Sequence, residues 1–195
     1  MACDHEIVLL WDAQHQLEII GEVLSTDTNY QSQTVSSPQA ALDFSQTAGF
    51  PEHGLVVMPA QPKETTVEPT AIDKGITTKA ELIAVVNKAI AQSDNQSAHI
   101  ETDMRALYNP TRMNVIAEAT TVLIEQINQH CPKCRYPGFA ITQRRPGLPC
   151  HFCGAATLLT LAVVYRCQHC QFQQTQKFPD KEQYADPAYC PYCNP

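Results

Sequence analysis

Eight cysteines set as four Cys-x-x-Cys pairs carry the plainest chemistry in this 195-residue chain: Cys131/Cys134, Cys150/Cys153, Cys167/Cys170 and Cys190/Cys193. A lone pair of this kind suits redox chemistry as well as metal binding. Four in series, all after residue 130, read as two four-cysteine sites for two structural Zn²⁺ ions. The spacing has a physical reason. Two thiolates separated by two residues face one ion while backbone N–H groups of the turn point at the sulfurs, and two such knuckles complete a tetrahedron with Zn–S bonds of about 2.3 Å. The ninth cysteine, Cys3, stands apart. Nothing in Met1–Glu6 has the basic patch or apolar stretch of a secretory signal, so thiols rather than disulfides, and a soluble cytoplasmic chain without a membrane span, are the expectation.

Chain reach bears on which knuckles share an ion. The connector 135–149 holds Pro137-Gly138 and Pro146-Gly147, and the connector 171–189 holds Pro179-Asp180-Lys181, so each can fold back on itself. The middle run from Ala155 to Tyr165 looks like one strand, and the ends of a strand that long cannot meet at one ion. Sequential sharing is therefore expected, 131/134 with 150/153 and 167/170 with 190/193. A bend would permit interleaved or nested sharing instead.

Charge divides along the same line. The chain carries −7 overall, with −11 in residues 1–130 and +4 in residues 131–195. A zinc ion held by four thiolates leaves about −2, so two such centres offset the positive tail, and a broad nucleic-acid footprint is not implied. Nine of the thirteen Phe and Tyr residues lie in this tail, among them Tyr136, Phe139, Phe152, Tyr165, Phe172 and Tyr192. They suit either the small core of a zinc module or, with Arg144 and Arg145, a stacking surface for single-stranded nucleic acid. His151 and His169 sit inside knuckles whose ligand quota the cysteines already fill, and are expected to be exposed.

A second set of candidates lies in residues 99–112. On a strand, His99, Glu101 and Asp103 share one face and could present metal ligands or an acid/base pair, with Glu101 and Asp103 the catalytic candidates. Arg105 and Arg112, the only arginines before residue 130, stand on either side of a helix start at Asn109-Pro110 and could grip phosphate or carboxylate together with Asn109. Ser25–Asn29 offers further polar groups after a strand. The competing structural reading makes Asp103 with Arg112, or Glu101 with Arg105, plain ion pairs, Asn109 a helix cap and His53 a surface residue.

The elements that must position these groups are legible in part. Glu6–Trp11 is an apolar run suited to a buried strand, and Leu17–Leu24 returns beside it as a hairpin. Ser37-Pro38 opens a helix that stops at Gly49, Leu55–Met58 is a strand, and Pro59–Pro69 a polar, proline-bearing loop. Thr78-Lys79-Ala80-Glu81 is a capping box for a helix to about Ala91. A strand across Ala98–Met104 follows. A last helix runs from Pro110 to about Gln129 with Met113, Ile116, Val122, Leu123 and Ile127 inward. The expected class is α+β (or α/β): a small mixed sheet with about three helices over residues 1–130, then a double zinc-ribbon β module over residues 131–195.

Thr102–Ala106, Asn109–Met113, Pro137-Gly138-Phe139, Gly147–Cys150, Ala185-Asp186-Pro187 and Cys193-Asn194-Pro195 together resemble a bacterial family catalogued only as a domain of unknown function. The resemblance implies an α/β region followed by the same four knuckles, and no reaction. Members of that family carry a further N-terminal segment with a Gly/Ser-Phe-Gly-Pro-His stretch that this sequence is expected to lack. Two functions are carried forward. The first is a noncatalytic zinc protein whose ribbons bind a protein or a nucleic acid. The second is a metal-dependent phosphate-ester or nucleotide hydrolase built on residues 99–112, with an anionic small molecule as its ligand.

Overall fold

The structure, a computed structural model, describes residues 2–62 and 72–195; most of the loop expected across Pro59–Pro69 lies outside the described residues. The chain is α+β, with three α-helices and three antiparallel sheets among the described residues. None of the described helices is long and apolar enough to cross a membrane. Contacts gather the chain into two compact units, Met1–Ile7 with Glu22–Ala119, and Val8–Gly21 with Thr120–Pro195.

Strands β1 (Asp4–Asp12) and β2 (Leu17–Ser25) form the expected hairpin. The apolar run is not buried on both faces, however. Glu6, Val8 and Leu10 turn inward while Ile7, Leu9 and Trp11 alternate outward and stay exposed, because a two-stranded sheet covered on one side hides only every second residue.

The first unit holds β3 (Ser32–Val35), α1 (Pro38–Thr47), β4 (Leu55–Pro59), β5 (Asp73–Ile76), α2 (Lys79–Ala91) and β6 (Ala98–Thr102). Its sheet runs β3-β6-β4-β5, antiparallel at every ladder. Each helix therefore links two strands that have a third between them: α1 carries the chain from β3 over β6 to β4, and α2 from β5 over β4 to β6. Local chemistry starts both helices. The Ser37 side chain accepts from Ala40 N with Pro38 in the first turn, and Thr78 accepts from Glu81 N. Val35, Ala41, Phe44, Leu55, Val57, Ile76, Leu82, Val86, Ala98 and Ile100 make one core between helices and sheet. Each large aliphatic buried there is worth roughly 1.5–3 kcal/mol. Strands β3 and β5 have no counterpart in the sequence reading. They are four-residue edge strands with few apolar residues, too short to show a period.

Helix α3 (Pro110–Asn128) lies where expected, and Leu123 and Ile127 face inward as expected, but Val115 and Ala119 continue the buried row at a spacing of four while Met113 is exposed. In the second unit Leu17, Ile19 and Leu123 pack with Val8, Leu10, Ile127 and Tyr136. The rest of that unit is a sheet of β7 (Ala140–Pro146), β8 (Thr160–Arg166) and β9 (Gln173–Lys177), with β8 central. The strand expected across Ala155–Tyr165 is thus shorter. Its first part forms a turn that pairs Ala156 with Pro149 and returns Thr157 N to Leu148 O.

Candidate metal centres

Each Cys-x-x-Cys pair is one tight turn, repeated four times. The backbone N–H of the residue after the second cysteine donates to the carbonyl of the first: Arg135 to Cys131, Gly154 to Cys150, Gln171 to Cys167 and Asn194 to Cys190, at 2.8–3.1 Å. In the first three knuckles that residue is left-handed, with φ of 64° at Arg135, 72° at Gly154 and 60° at Gln171, which turns the chain back over the sulfurs. N–H groups aim at the leading sulfur, as from Phe152 to Cys150 Sγ and from Cys170 to Cys167 Sγ, both 3.4 Å. The leading cysteines Cys131, Cys150, Cys167 and Cys190 are buried, and the trailing ones lie further out.

The structure brings the knuckles together as Cys131, Cys134, Cys167 and Cys170 in one group and Cys150, Cys153, Cys190 and Cys193 in the other. This interleaved pairing corrects the sequential pairing expected from the connectors. The connector 135–149 does not fold back on itself but crosses the sheet as β7. Antiparallel register then places Ala140 opposite Arg166, beside the third knuckle, and Pro146 opposite Thr160 at the far end. Strand β9 brings Lys177 back opposite Ala162, toward the second knuckle, where Cys150 bridges to Ala185. The two groups therefore sit at opposite ends of one three-stranded sheet. The inference that knuckles two and three cannot share an ion holds for the reason given: β8 separates them.

Sulfur spacing suits an ion in both groups. The Cys131–Cys170 and Cys134–Cys167 separations are 3.7 and 3.6 Å, and Cys150–Cys193 and Cys153–Cys190 are 3.9 and 3.6 Å. Four sulfurs at 2.3 Å from a central ion form a tetrahedron with edges of about 3.8 Å, whereas a disulfide needs about 2.05 Å. Thiol acidity points the same way. Burial opposes ionisation of Cys131, yet the N–H groups of Cys134 and Lys133 and the Cys134 and Cys170 thiols bring it down to about 7. Burial likewise opposes Cys190, and the Tyr192 and Cys193 N–H groups with the Cys153 and Cys193 thiols bring it to about 7. The N–H of Tyr136 favours the Cys134 thiolate, but burial and the crowding sulfurs of Cys170, Cys167 and Cys131 push it up to about 12. Cys193 is raised to about 12 by the Cys153 sulfur, by burial and by Cys190 and Cys150. Four thiols so close cannot all ionise unaided, and a bound cation would supply the missing charge.

The aromatic residues divide between the two ends. Phe139 stacks on Tyr165 and Phe172 and packs with Cys131 and Cys167, so at the first group the rings are core. At the second group Phe152, Tyr184, Tyr189 and Tyr192 are exposed. His151 and His169 are exposed as expected, with His169 stacked on Tyr136 and His151 edge-on to Tyr184.

Residues 99–112 lie in the first unit and run from β6 into the start of α3. His99 and Glu101 share the face of β6 opposite the buried Ala98, Ile100 and Thr102 and pair at 3.4 Å. Asp103 does not continue the row: β6 ends at Thr102 and Asp103 turns inward, its N–H on Gly54 O. The buried Asp103 carboxylate accepts from Gly75 N at 2.9 Å, Arg105 N at 3.0 Å, and Arg105 Nε and Nη2 at 3.0 and 2.6 Å. Burial alone would raise its pKa, but the Arg105 guanidinium and these N–H groups hold it below the usual carboxylate value. Arg105, half exposed, also lies over the Tyr108 ring at 4.6 Å.

Arg112 donates from Nε to Glu6 at 2.6 Å and from Nη1 to Met104 O at 2.6 Å. The ion pairs are thus Asp103–Arg105 and Glu6–Arg112, in place of the expected Asp103–Arg112 and Glu101–Arg105. Glu6 escaped the sequence reading. A glutamate at an inward position of an apolar strand was the signal for it. Asn109 caps α3, its Oδ1 accepting from Arg112 N at 3.0 Å while its Nδ2 donates to Asn29 Oδ1 at 2.9 Å. His53 is half-buried and bonded to Thr111 Oγ1 at 3.0 Å, not a free surface residue. A hollow of about 330 Å³ does bring Glu101, Asp103, Arg105 and Arg112 together with Lys74 and Met58.

The chain belongs to a family described as a domain of unknown function (DUF6671), matched over residues 1–195. No curated protein and no solved structure matches it.

Proposed function

We propose that this member of an uncharacterised family is a noncatalytic zinc protein that works by binding a partner through its ribbon module. The observation that supports this is the closure of both cysteine groups: four thiol ligands at each, with sulfur spacing suited to tetrahedral coordination. All-thiolate shells of borderline-soft geometry favour zinc over calcium or magnesium, and leave it no open position for water or substrate. Such an ion supplies folding free energy rather than reactivity. The exposure of three trailing cysteines also fits a reducing compartment such as the cytoplasm. Metal analysis of the protein with native mass spectrometry tests the reading. Two zinc ions per chain are expected, with no hydrolysis of phosphate esters or nucleotides on adding Mg²⁺ or Mn²⁺. One ion per chain, or turnover that disappears in Glu101→Gln, would overturn it.

The hydrolase reading has one observation in its favour, the hollow that gathers Glu101, Asp103, Arg105 and Arg112. It is the weaker of the two. The Asp103 carboxylate already accepts from four N–H groups, and both guanidiniums are committed to carboxylates of this chain. An anion at this site would have to compete with Asp103 for Arg105 and with Glu6 for Arg112.

A further inference from the structure

The two ends of the ribbon sheet differ in what they show to solvent. At the first group the third knuckle positions are Lys133 and His169, and the surrounding rings are core. At the second group the same positions are Phe152 and Tyr192, 81% and 78% exposed. Because these two knuckles converge on one four-cysteine group, both rings stand within one turn of the same centre. Leu158, 89% exposed, Tyr184 and Tyr189 add to this apolar end. Solvated rings at two equivalent positions contribute nothing to a core and mark a contact surface.

Charge differs by segment. Lys133 and Arg135 belong to the first knuckle and Arg166 to the end of β8 beside the third, while Arg144, Arg145 and Lys177 lie on the sheet opposite Val163 and Ala162. The segments that build the second group hold Asp180, Glu182 and Asp186 against Lys181 alone. Beside that group a hollow of about 460 Å³ is lined by His151, Glu182, Tyr184 and Asp186. One Asp186 oxygen accepts from Ala188 N at 2.7 Å. A carboxylate-lined hollow with a Tyr ring in its wall fits a cationic side chain, through ion pairing and cation–π contact. Phosphate would be repelled from the same place.

We infer that the Cys150/Cys153/Cys190/Cys193 end is a docking surface for a basic, apolar segment of another protein. An arginine or lysine would enter the hollow between Glu182 and Asp186, with apolar side chains on Phe152, Leu158 and Tyr192. This rests on the binding reading above and names the partner class for it.

The test is an amide chemical-shift titration of the full zinc-loaded chain with three probes: a capped arginine/leucine peptide, its glutamate/leucine counterpart, and a single-stranded oligothymidylate. The arginine peptide should move amides in 150–158 and 182–192. Its affinity should fall at least tenfold in Phe152→Ser/Tyr192→Ser, and separately in Glu182→Gln/Asp186→Asn, which keeps the acceptor for Ala188. These side chains are exposed, and unchanged spectra elsewhere will verify folding. No response to the arginine peptide, an equal response to the glutamate peptide, or no loss in the variants would overturn the docking site. Tighter binding of oligothymidylate at these amides would overturn it too, while leaving a noncatalytic binding role intact.

Discussion

The Asp103 carboxylate is satisfied on both oxygens by a guanidinium and two backbone N–H groups, so its charge is part of the fold. Its folded pKa lies below the ordinary value. A depressed carboxylate contributes stability that is fully present above its unfolded pKa of about 4 and is lost as pH falls through the folded value. Thermal denaturation followed from pH 7 to pH 2 should show an acid limb that flattens in Asp103→Asn. The substitution itself should cost roughly 1–3 kcal/mol at neutral pH. An unchanged acid limb would assign the titration elsewhere. The residue types of this cluster were legible in the sequence, but their partners were not. Arg112 reaches Glu6, 106 positions away, and no local pattern records that meeting.

Among the elements, β5 and the 3₁₀ turn Ala106–Tyr108 show how closely the first unit is fitted. Gly75 has φ of +72°, and a Cβ there would stand 2.6 Å from Tyr108 Cζ. Gly75→Ala should therefore destabilise by roughly 1–3 kcal/mol, from backbone strain and overpacking together. In a Tyr108→Ala background only the backbone part, about 1 kcal/mol, should remain, and melting temperatures of the four proteins measure the difference. Capped helices announced themselves because Ser37, Thr78 and Asn109 act on N–H groups three residues away. The stripe of α3 was legible at Leu123 and Ile127, but its partly apolar sequence fits two adjacent rows, and packing rather than pattern selected Val115 and Ala119 over Met113.

For the whole molecule the consequence of interleaving is that an ion held by either cysteine group would tie together knuckles more than thirty residues apart. Replacing Cys131 and Cys134 with serine should remove one ion, and adding Cys167→Ser and Cys170→Ser should remove no further ion. Adding Cys150→Ser and Cys153→Ser to the first pair should instead remove both ions. Metal counts by native mass spectrometry distinguish this from sequential sharing, in which replacing 131/134 together with 167/170 would abolish both ions. Such crosslinks stabilise mainly by closing long loops, so metal removal should unfold the ribbon sheet cooperatively.

From the sequence alone came the eight paired cysteines, the knuckle turns and the capped helices. Each depends on residue types at a short, fixed spacing, and covalent geometry enforces that spacing in any fold. Only the tertiary structure decided which knuckles share a centre, which carboxylate answers each arginine, and which aromatic rings stay in water. The pairing of the knuckles follows from β7 crossing the sheet rather than turning back, and the arginine partners from the first unit, where Asp103 turns inward past β6 and Arg112 meets Glu6 of β1. Strand register, set by burying Ala162, Val163 and Val164 of β8, selects partners across distances that no local pattern in the chain encodes.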